Sequence, residues 1–229
     1  MPRSARIVLP GCMHHITQRG NYQQNVFEED LDHIVYLKLI QKNCQEYGVD
    51  IFAFCLMKNH VHFIVRPTSF DSLAQAFKIT HMCYALYFNQ KKNIKGHLWQ
   101  SRFYSCHLHE DHFYEAVRYV ECNPMRAKMV LKPWDYSWSS AKAHLGTRYN
   151  IIQLADIKEH LDVGSWKDYL MKTESDDFLK AVRNNTKKGL VVGPNDYLRE
   201  LENKLNRPLL PKPFGRPSTT DLIKKSISI

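Results

Sequence analysis

The alternation of apolar and polar positions divides the first two thirds of the chain into a regular series of elements. Residues 5–19 read as a loop and then a short strand, CMHHITQ, which ends at a turn around Gly20-Asn21. Glu28, Glu29 and Asp30 then load the start of a helix, where acids complement the helix dipole. Leu31, Ile34, Val35, Leu37, Leu39 and Ile40 recur at near-helical spacing to about Tyr47, and Gly48 suits a C-cap. Residues 50–56 (DIFAFCL) and 60–66 (HVHFIVR) predict two strands joined by a tight Met57-Lys58-Asn59 connection, the second ended by Pro67. Ser69 or Asp71 caps a second helix, whose apolar face of Leu73, Phe77, Met82, Tyr84 and Phe88 runs to about Asn89. Lys91, Lys92 and Lys95 make a basic loop. Residues 97–107 predict a strand, and Asp111 caps a helix over 112–122 that stops at Asn123-Pro124. The order β-α-β-β-α-β-α begins as the split β-α-β pattern. The fold expected is α+β and ferredoxin-like, an antiparallel sheet with helices on one face.

After Trp138 the texture changes. Residues 139–182 suggest short helices. The stretch from Asn184 onward is rich in Pro, Lys and Arg, with an amphipathic segment near 195–205, and reads as a tail that orders on binding. The expected division is a catalytic domain over 1–145 and a helical, basic extension over 146–229. Neither a repeat nor a low-complexity run stands out.

Lysine and arginine outnumber acids 32 to 23, a net charge of +9. That excess favours a polyanionic partner, of which nucleic acid is the commonest. The six cysteines are scattered, with no C-x-x-C pair, so neither a zinc ribbon nor a disulfide framework is indicated. No N-terminal apolar core of a signal peptide is visible, and no run reaches the roughly 18 apolar residues of a membrane span. A cytoplasmic location without a membrane partner is the expectation.

Within the strand MKNHVHFIV, His60 and His62 are two residues apart and so share a face. Two imidazoles on one face can hold a divalent ion. The same spacing also suits two partly buried histidines, each hydrogen-bonded to a neighbour. His14 and His15 are adjacent, so at most one of them can face a shared site. In the helix HFYEAVRYVECNPMRAKMV, Tyr119 and Asn123 are four residues apart and share a face, with Arg118 and Arg126 flanking them. A packed tyrosine followed by an Asn-Pro helix stop would look the same.

Taken together, these segments resemble the HUH single-tyrosine transposases, and within them the REP-associated tyrosine transposases. The residues that carry the resemblance are HHITQRGNYQQNVF, MKNHVHFIV, HLWQSRFY, RYVECNPMRA and the tail GRP at 215–217; it covers about 1–145. The resemblance implies that His60 and His62 form the HUH pair and Tyr119 is the nucleophile. Asn123 completes the metal site, for Mg²⁺ or Mn²⁺. It implies a bacterial, nucleoid-associated single-stranded DNA endonuclease and strand transferase. The enzyme would act at REP-type hairpins through a 5′-phosphotyrosine, as a monomer or homodimer. Lys58 stands where proline is frequent in the family. DNA contacts are expected from Arg3, Arg6, Arg19, Asn21, Lys58, Arg102, Arg118 and Arg126, with Lys91 and Lys92 as further cations. Tyr22 and Tyr104 are candidates for base stacking, and Phe103 is expected in the core. A hairpin-binding protein without catalysis is one alternative, and a replication-initiator or relaxase-like HUH nuclease is another.

Imidazole donors are unusual for Mg²⁺ on grounds of hardness. Mn²⁺ is therefore expected to support the reaction better in vitro. Strand cleavage with Mn²⁺ that is equal to or slower than with Mg²⁺ would count against this ligand set.

Overall fold

The structure is a computed structural model that describes residues 6–147, 151–157, 165–173 and 175–209. The chain forms two compact units, Met1–Gly193 and Pro194–Ile229. The first is built on a five-stranded sheet of β1 (Met13–Arg19), β2 (Val49–Met57), β3 (His60–Pro67), β4 (Tyr104–Leu108) and β5 (Val191–Val192). The strand order is β2-β3-β1-β4-β5. The first four strands are antiparallel, and β5 pairs with β4 in parallel. Strands β1 and β3 are central, which is the arrangement expected of the split β-α-β pattern.

Two long helices, α1 (Asp30–Glu46) and α2 (Ser72–Lys92), connect the strands and cover one face. Ile16, Phe54, Val61, Phe63 and Val65 alternate toward them and are buried with Tyr36, Leu37, Phe77 and Tyr84. A capping box starts α1: Glu29 takes the backbone N–H of Asp32, whose carboxylate takes the N–H of Glu29. Gly48 ends it with a positive φ of 63°, and a Cβ there would lie 2.2 Å from Thr68 Oγ1, so the turn accepts only glycine.

The opposite face is also covered, by helices beyond the split β-α-β unit. These are α3 (Phe113–Glu121), the single turn α4 (Asn123–Arg126), α6 (Trp166–Met171) and α7 (Asp176–Lys188); the short α5 is Ala141–His144. An apolar set from β1, β2, β3 and β4 (Met13, Cys55, Ile64, Cys106 and Leu108) packs there against Phe113, Val117, Leu170 and Val182. The face left open in the sequence reading is thus the one that receives Tyr119. The anchor of this layer is Glu121, fully buried. Its carboxylate accepts hydrogen bonds from Ser140 Oγ (2.5 Å), His144 Nδ1 (2.5 Å) and Trp166 Nε1 (3.0 Å). It joins α3 to α5 and α6.

Three expectations change. The second helix runs past Asn89 to Lys92 and ends at left-handed Asn93. Lys91 and Lys92 form ion pairs with Asp32, Glu29 and Glu28, so they clamp α2 to the start of α1 instead of forming a basic loop. The strand predicted over 97–107 is continuous only from Tyr104 to Leu108, with a single isolated bridge ahead of it between Trp99 and Gly20. Ahead of it the chain leaves the sheet to bury Leu98, Trp99 and Phe103 under α2, with Trp99 Nε1 donating to His81 O. The stretch after Asn184 is not all tail, because it completes α7 and supplies β5. In the second unit α8 (Asn195–Leu205) forms where the amphipathic segment was predicted, and buries Leu198 and Leu201. The segment 210–229, with its GRP, lies outside the described residues. No described helix is long and apolar enough to cross a membrane.

Several histidines are buried as neutral rings. Burial pushes His14 down to about 4, and His81 and His107 down to about 3. Burial also acts to lower His144, but Glu121 outweighs it and raises that ring. The lowered group dominates in number. An unfolded chain takes up protons near 6.5 at these rings, whereas the folded chain does not until much lower pH. Their stabilising effect is therefore complete above pH 6.5 and is lost as pH falls toward 4. The melting temperature is expected to drop steeply between pH 7 and pH 5. A melting temperature that is flat over that interval would contradict the buried, neutral assignment.

Candidate active site

The register of the two central strands assembles the site. Thr17 lies opposite His62 and Arg19 opposite His60, while His15 lies opposite Ile64. Because strand side chains alternate, His15, Thr17, Arg19, His60 and His62 share one face. His14 faces the other way, with its ring 5.3 Å from that of His107. Helix α3 crosses the site face and sets the Tyr119 ring edge-on to two histidines, at 5.6 Å from His15 and 5.8 Å from His62. A cavity of about 420 Å³ opens here. His60, His62, Tyr119 and Asn123 all line it, as do Arg19 and Tyr104.

Each histidine of the pair has one nitrogen engaged on its far side. His60 Nδ1 is 2.6 Å from Asn59 Oδ1, and because an amide oxygen only accepts, His60 carries its proton on Nδ1. His62 Nδ1 is 2.9 Å from His15 Nε2, with the two ring planes within 9° of each other. Among the described residues, Nε2 of neither ring makes a hydrogen bond to protein. Burial pushes His60 down to about 4, helped by Arg19. His62 is pushed well below 6.5 by burial, then by its neighbours His60, His15, Arg126 and Arg183. Both rings are therefore neutral at physiological pH, the form that donates a lone pair to a metal.

Asn123 lines the cavity, and its Nδ2 donates to Tyr119 O (3.1 Å) and Val120 O (3.2 Å), which leaves its Oδ1 without a donor among the described residues. Arg126 donates to Tyr119 O and lies over the Tyr119 ring at 4.6 Å. The Tyr119 hydroxyl makes no hydrogen bond among the described residues, and the residue is only 4% exposed. Two imidazole Nε2 atoms and one amide oxygen thus fit a divalent ion in chemistry. The described residues contain no group of three His, Cys, Asp or Glu side chains arranged to hold one.

The expected DNA-contact residues divide by position. Arg19 lines the cavity, and Arg126 is held against Tyr119. Asn21 bonds through its backbone N–H to Leu98 O at the turn after β1, and Lys58 is exposed at the β2–β3 turn. Arg102 is exposed just before β4. Arg6 lies over the Phe103 ring at 3.8 Å and donates to Phe103 O. Arg118 is 6% exposed and stacks on Tyr169 of α6 at 4.8 Å, so its charge is spent inside the helical layer and not at the cavity. Arg3 lies outside the described residues. Tyr22 is 94% exposed in a turn where it and Gln23 both adopt positive φ. Gly20 makes that turn possible: a Cβ there would lie 2.3 Å from Gln24 O.

Sequence reasoning missed three groups. Thr186, Arg183 and Lys187 of α7 all line the cavity, and Thr186 Oγ1 is 2.8 Å from His15 Nδ1. A signal existed. Ser175 and Gly189 bracket 13 residues as cap and stop, and Arg183, Thr186 and Lys187 fall three and four apart.

The chain matches the family model described as transposase, IS200 like, over residues 9–123, half of its length, and belongs to that family. It is by class a transposase-like DNA-processing protein. No curated protein matches it. Its fold is similar to a solved REP-associated tyrosine transposase bound to a REP hairpin, at TM-score 0.53 and 18% identity, covering 72% of this chain and 100% of that one. A second structure, assigned as a transposase from Deinococcus radiodurans R1, aligns at TM-score 0.37 and 13% identity over 56% of this chain and 92% of that one, too loosely to bear on the fold.

Proposed function

We propose that this chain is a metal-dependent single-stranded DNA endonuclease and strand transferase of the REP-associated kind, with Tyr119 as its nucleophile. One observation supports this most directly. Tyr119 of α3 and Asn123, which opens the adjoining α4, line a single cavity with His60 and His62, all within one chain. The proposed site therefore needs no residue from a second copy. A protein that only bound hairpins would have no use for this convergence. The hairpin itself is proposed by likeness to the solved transposase bound to one.

His60, His62 and Asn123 would hold a divalent ion, Mg²⁺ or Mn²⁺, whose positive charge polarises a scissile phosphate and offsets the charge that develops in the transition state. The remaining steps belong to the chain. Arg19 lies beside His60 and offers a cation to the phosphate. The Tyr119 oxygen attacks phosphorus in line, and the bond to the 3′ oxygen breaks. The tyrosine proton is balanced by protonation of that leaving oxygen. The products are a 5′-phosphotyrosine and a free 3′-OH. A second 3′-OH reverses the chemistry and restores Tyr119, so the phosphodiester energy is conserved in the protein–DNA bond. Arg126 holds the Tyr119 carbonyl and ring in place throughout.

The test uses a labelled single strand carrying a genomic palindromic hairpin with its flanks. Wild type is expected to give a metal-dependent covalent adduct that is absent from Tyr119→Phe and abolished by chelator. Hairpin binding without cleavage under either metal would favour the non-catalytic alternative, and an adduct that persists in Tyr119→Phe would move the nucleophile elsewhere. On the same reading, Arg183 and Lys187 contact phosphates. Neutralising each to Gln is expected to weaken binding to any single strand and to reduce the slope of log affinity against log salt by about 0.7. An unchanged slope in the double variant would place the strand away from α7.

A further inference from the structure

The ring contacts behind His62 form an unbroken line. His62 Nδ1 meets His15 Nε2 at 2.9 Å, and His15 Nδ1 meets Thr186 Oγ1 at 2.8 Å. All three residues are buried. Such a line can carry its protons in only two senses. In the first, His62 Nδ1–H donates to His15, and His15 Nδ1–H donates to Thr186; His62 Nε2 then presents a lone pair to the cavity. In the second, the Thr186 hydroxyl donates to His15, His15 Nε2–H donates to His62, and His62 presents an N–H instead.

We infer that Thr186 and His15 are positioning residues that fix His62 in the first sense, with its proton on Nδ1 and its Nε2 open to a cation. This rests on the proposed role of His62 but concerns a different element. Helix α7 lies wholly outside the matched family region of residues 9–123.

Two observations select the first sense. The Cys106 thiol on β4 donates to His107 O at 3.5 Å, so its sulfur can only accept from the neighbouring Thr186 hydroxyl, which turns that proton away from His15. His60, the other member of the pair, is already held with Nδ1–H outward by Asn59, so both rings then offer the same face to one ion. The line also explains how a single change would disarm the site. Valine at 186 would leave His15 Nδ1–H buried without an acceptor, whereas a bare ring nitrogen costs less there. His15 would move its proton to Nε2, which would drive His62 to carry its proton on Nε2. The pair would then keep its shape and lose a donor.

The experiment is long-range ¹⁵N–¹H correlation of ¹⁵N-histidine-labelled full-length protein at neutral pH, with His62 and His15 assigned from His62→Asn and His15→Asn. Mn²⁺ affinity is measured beside it by electron paramagnetic resonance. Wild type and Thr186→Ser are expected to show His62 protonated on Nδ1. Thr186→Val is expected to show it protonated on Nε2, with Mn²⁺ bound at least tenfold more weakly, the size of loss usual for a residue that orients a ligand. Wild-type His62 already protonated on Nε2 overturns the inference, even if the valine variant does not fold. So does a Thr186→Val protein whose His62 tautomer and Mn²⁺ affinity match wild type. A wild type that shows the Nδ1–H tautomer and the valine switch but binds no Mn²⁺, with or without the hairpin strand, would leave the relay standing and refute the metal role in the proposed function.

Discussion

The pairing register of β1 with β3 is the constraint on which the site depends. With Thr17 opposite His62 and Arg19 opposite His60, the two strands present five polar side chains on one face and an apolar stripe on the other. A slip of one residue in β1 would turn His15 and Arg19 toward α1 and α2, and would bring Ile16 to the cavity. The apolar stripe of Ile16, Val61, Phe63 and Val65 prevents that slip, because it would expose Ile16 on the wrong side of the sheet. The hydrophobic core under α1 and α2 thus sets the polar chemistry on the far side.

The same geometry accounts for the protonation of the site. Histidines packed this deeply, with Arg19, Arg126 and Arg183 nearby, cannot hold a proton at neutral pH. Their neutrality follows from burial and repulsion, and their orientation follows from Asn59 and His15. Helix α3 then adds Tyr119, the turn α4 adds Asn123, and α7 adds Arg183, Thr186 and Lys187 to the wall. The family match ends at residue 123, yet the cavity wall continues some sixty residues further along the chain.

Much of this was legible in the sequence. Strand alternation alone put His60 and His62 on one face and separated His14 from His15. Helical spacing alone put Tyr119 and Asn123 together. The failures have physical causes. The 97–103 stretch has strand composition, but Leu98, Trp99 and Phe103 gain more by burial under α2 than by pairing. Lys91 and Lys92 looked like a nucleic-acid surface because their partners, Glu28, Glu29 and Asp32, lie about sixty residues away in sequence. Arg118 looked like a neighbour of the site because the helix period alone could not show α6 waiting on its side. Helix α7 was lost in a polar segment whose Phe178, Leu179 and Val182 become a recognisable stripe only once a sheet face needs cover.

Two residues beyond Tyr119, Glu121 is gripped by three side chains from two separate places in the chain, Ser140 and His144 at the ends of α5 and Trp166 of α6. Removing one of these donors would leave the buried carboxylate short of a hydrogen bond in an apolar layer. The helix that carries the tyrosine is therefore tied from behind to α5 and α6. If Tyr119 holds the 5′ end of a cut strand, that end is parked at a fixed address. On the proposed chemistry, a strand that joins to it would then have to come to the tyrosine.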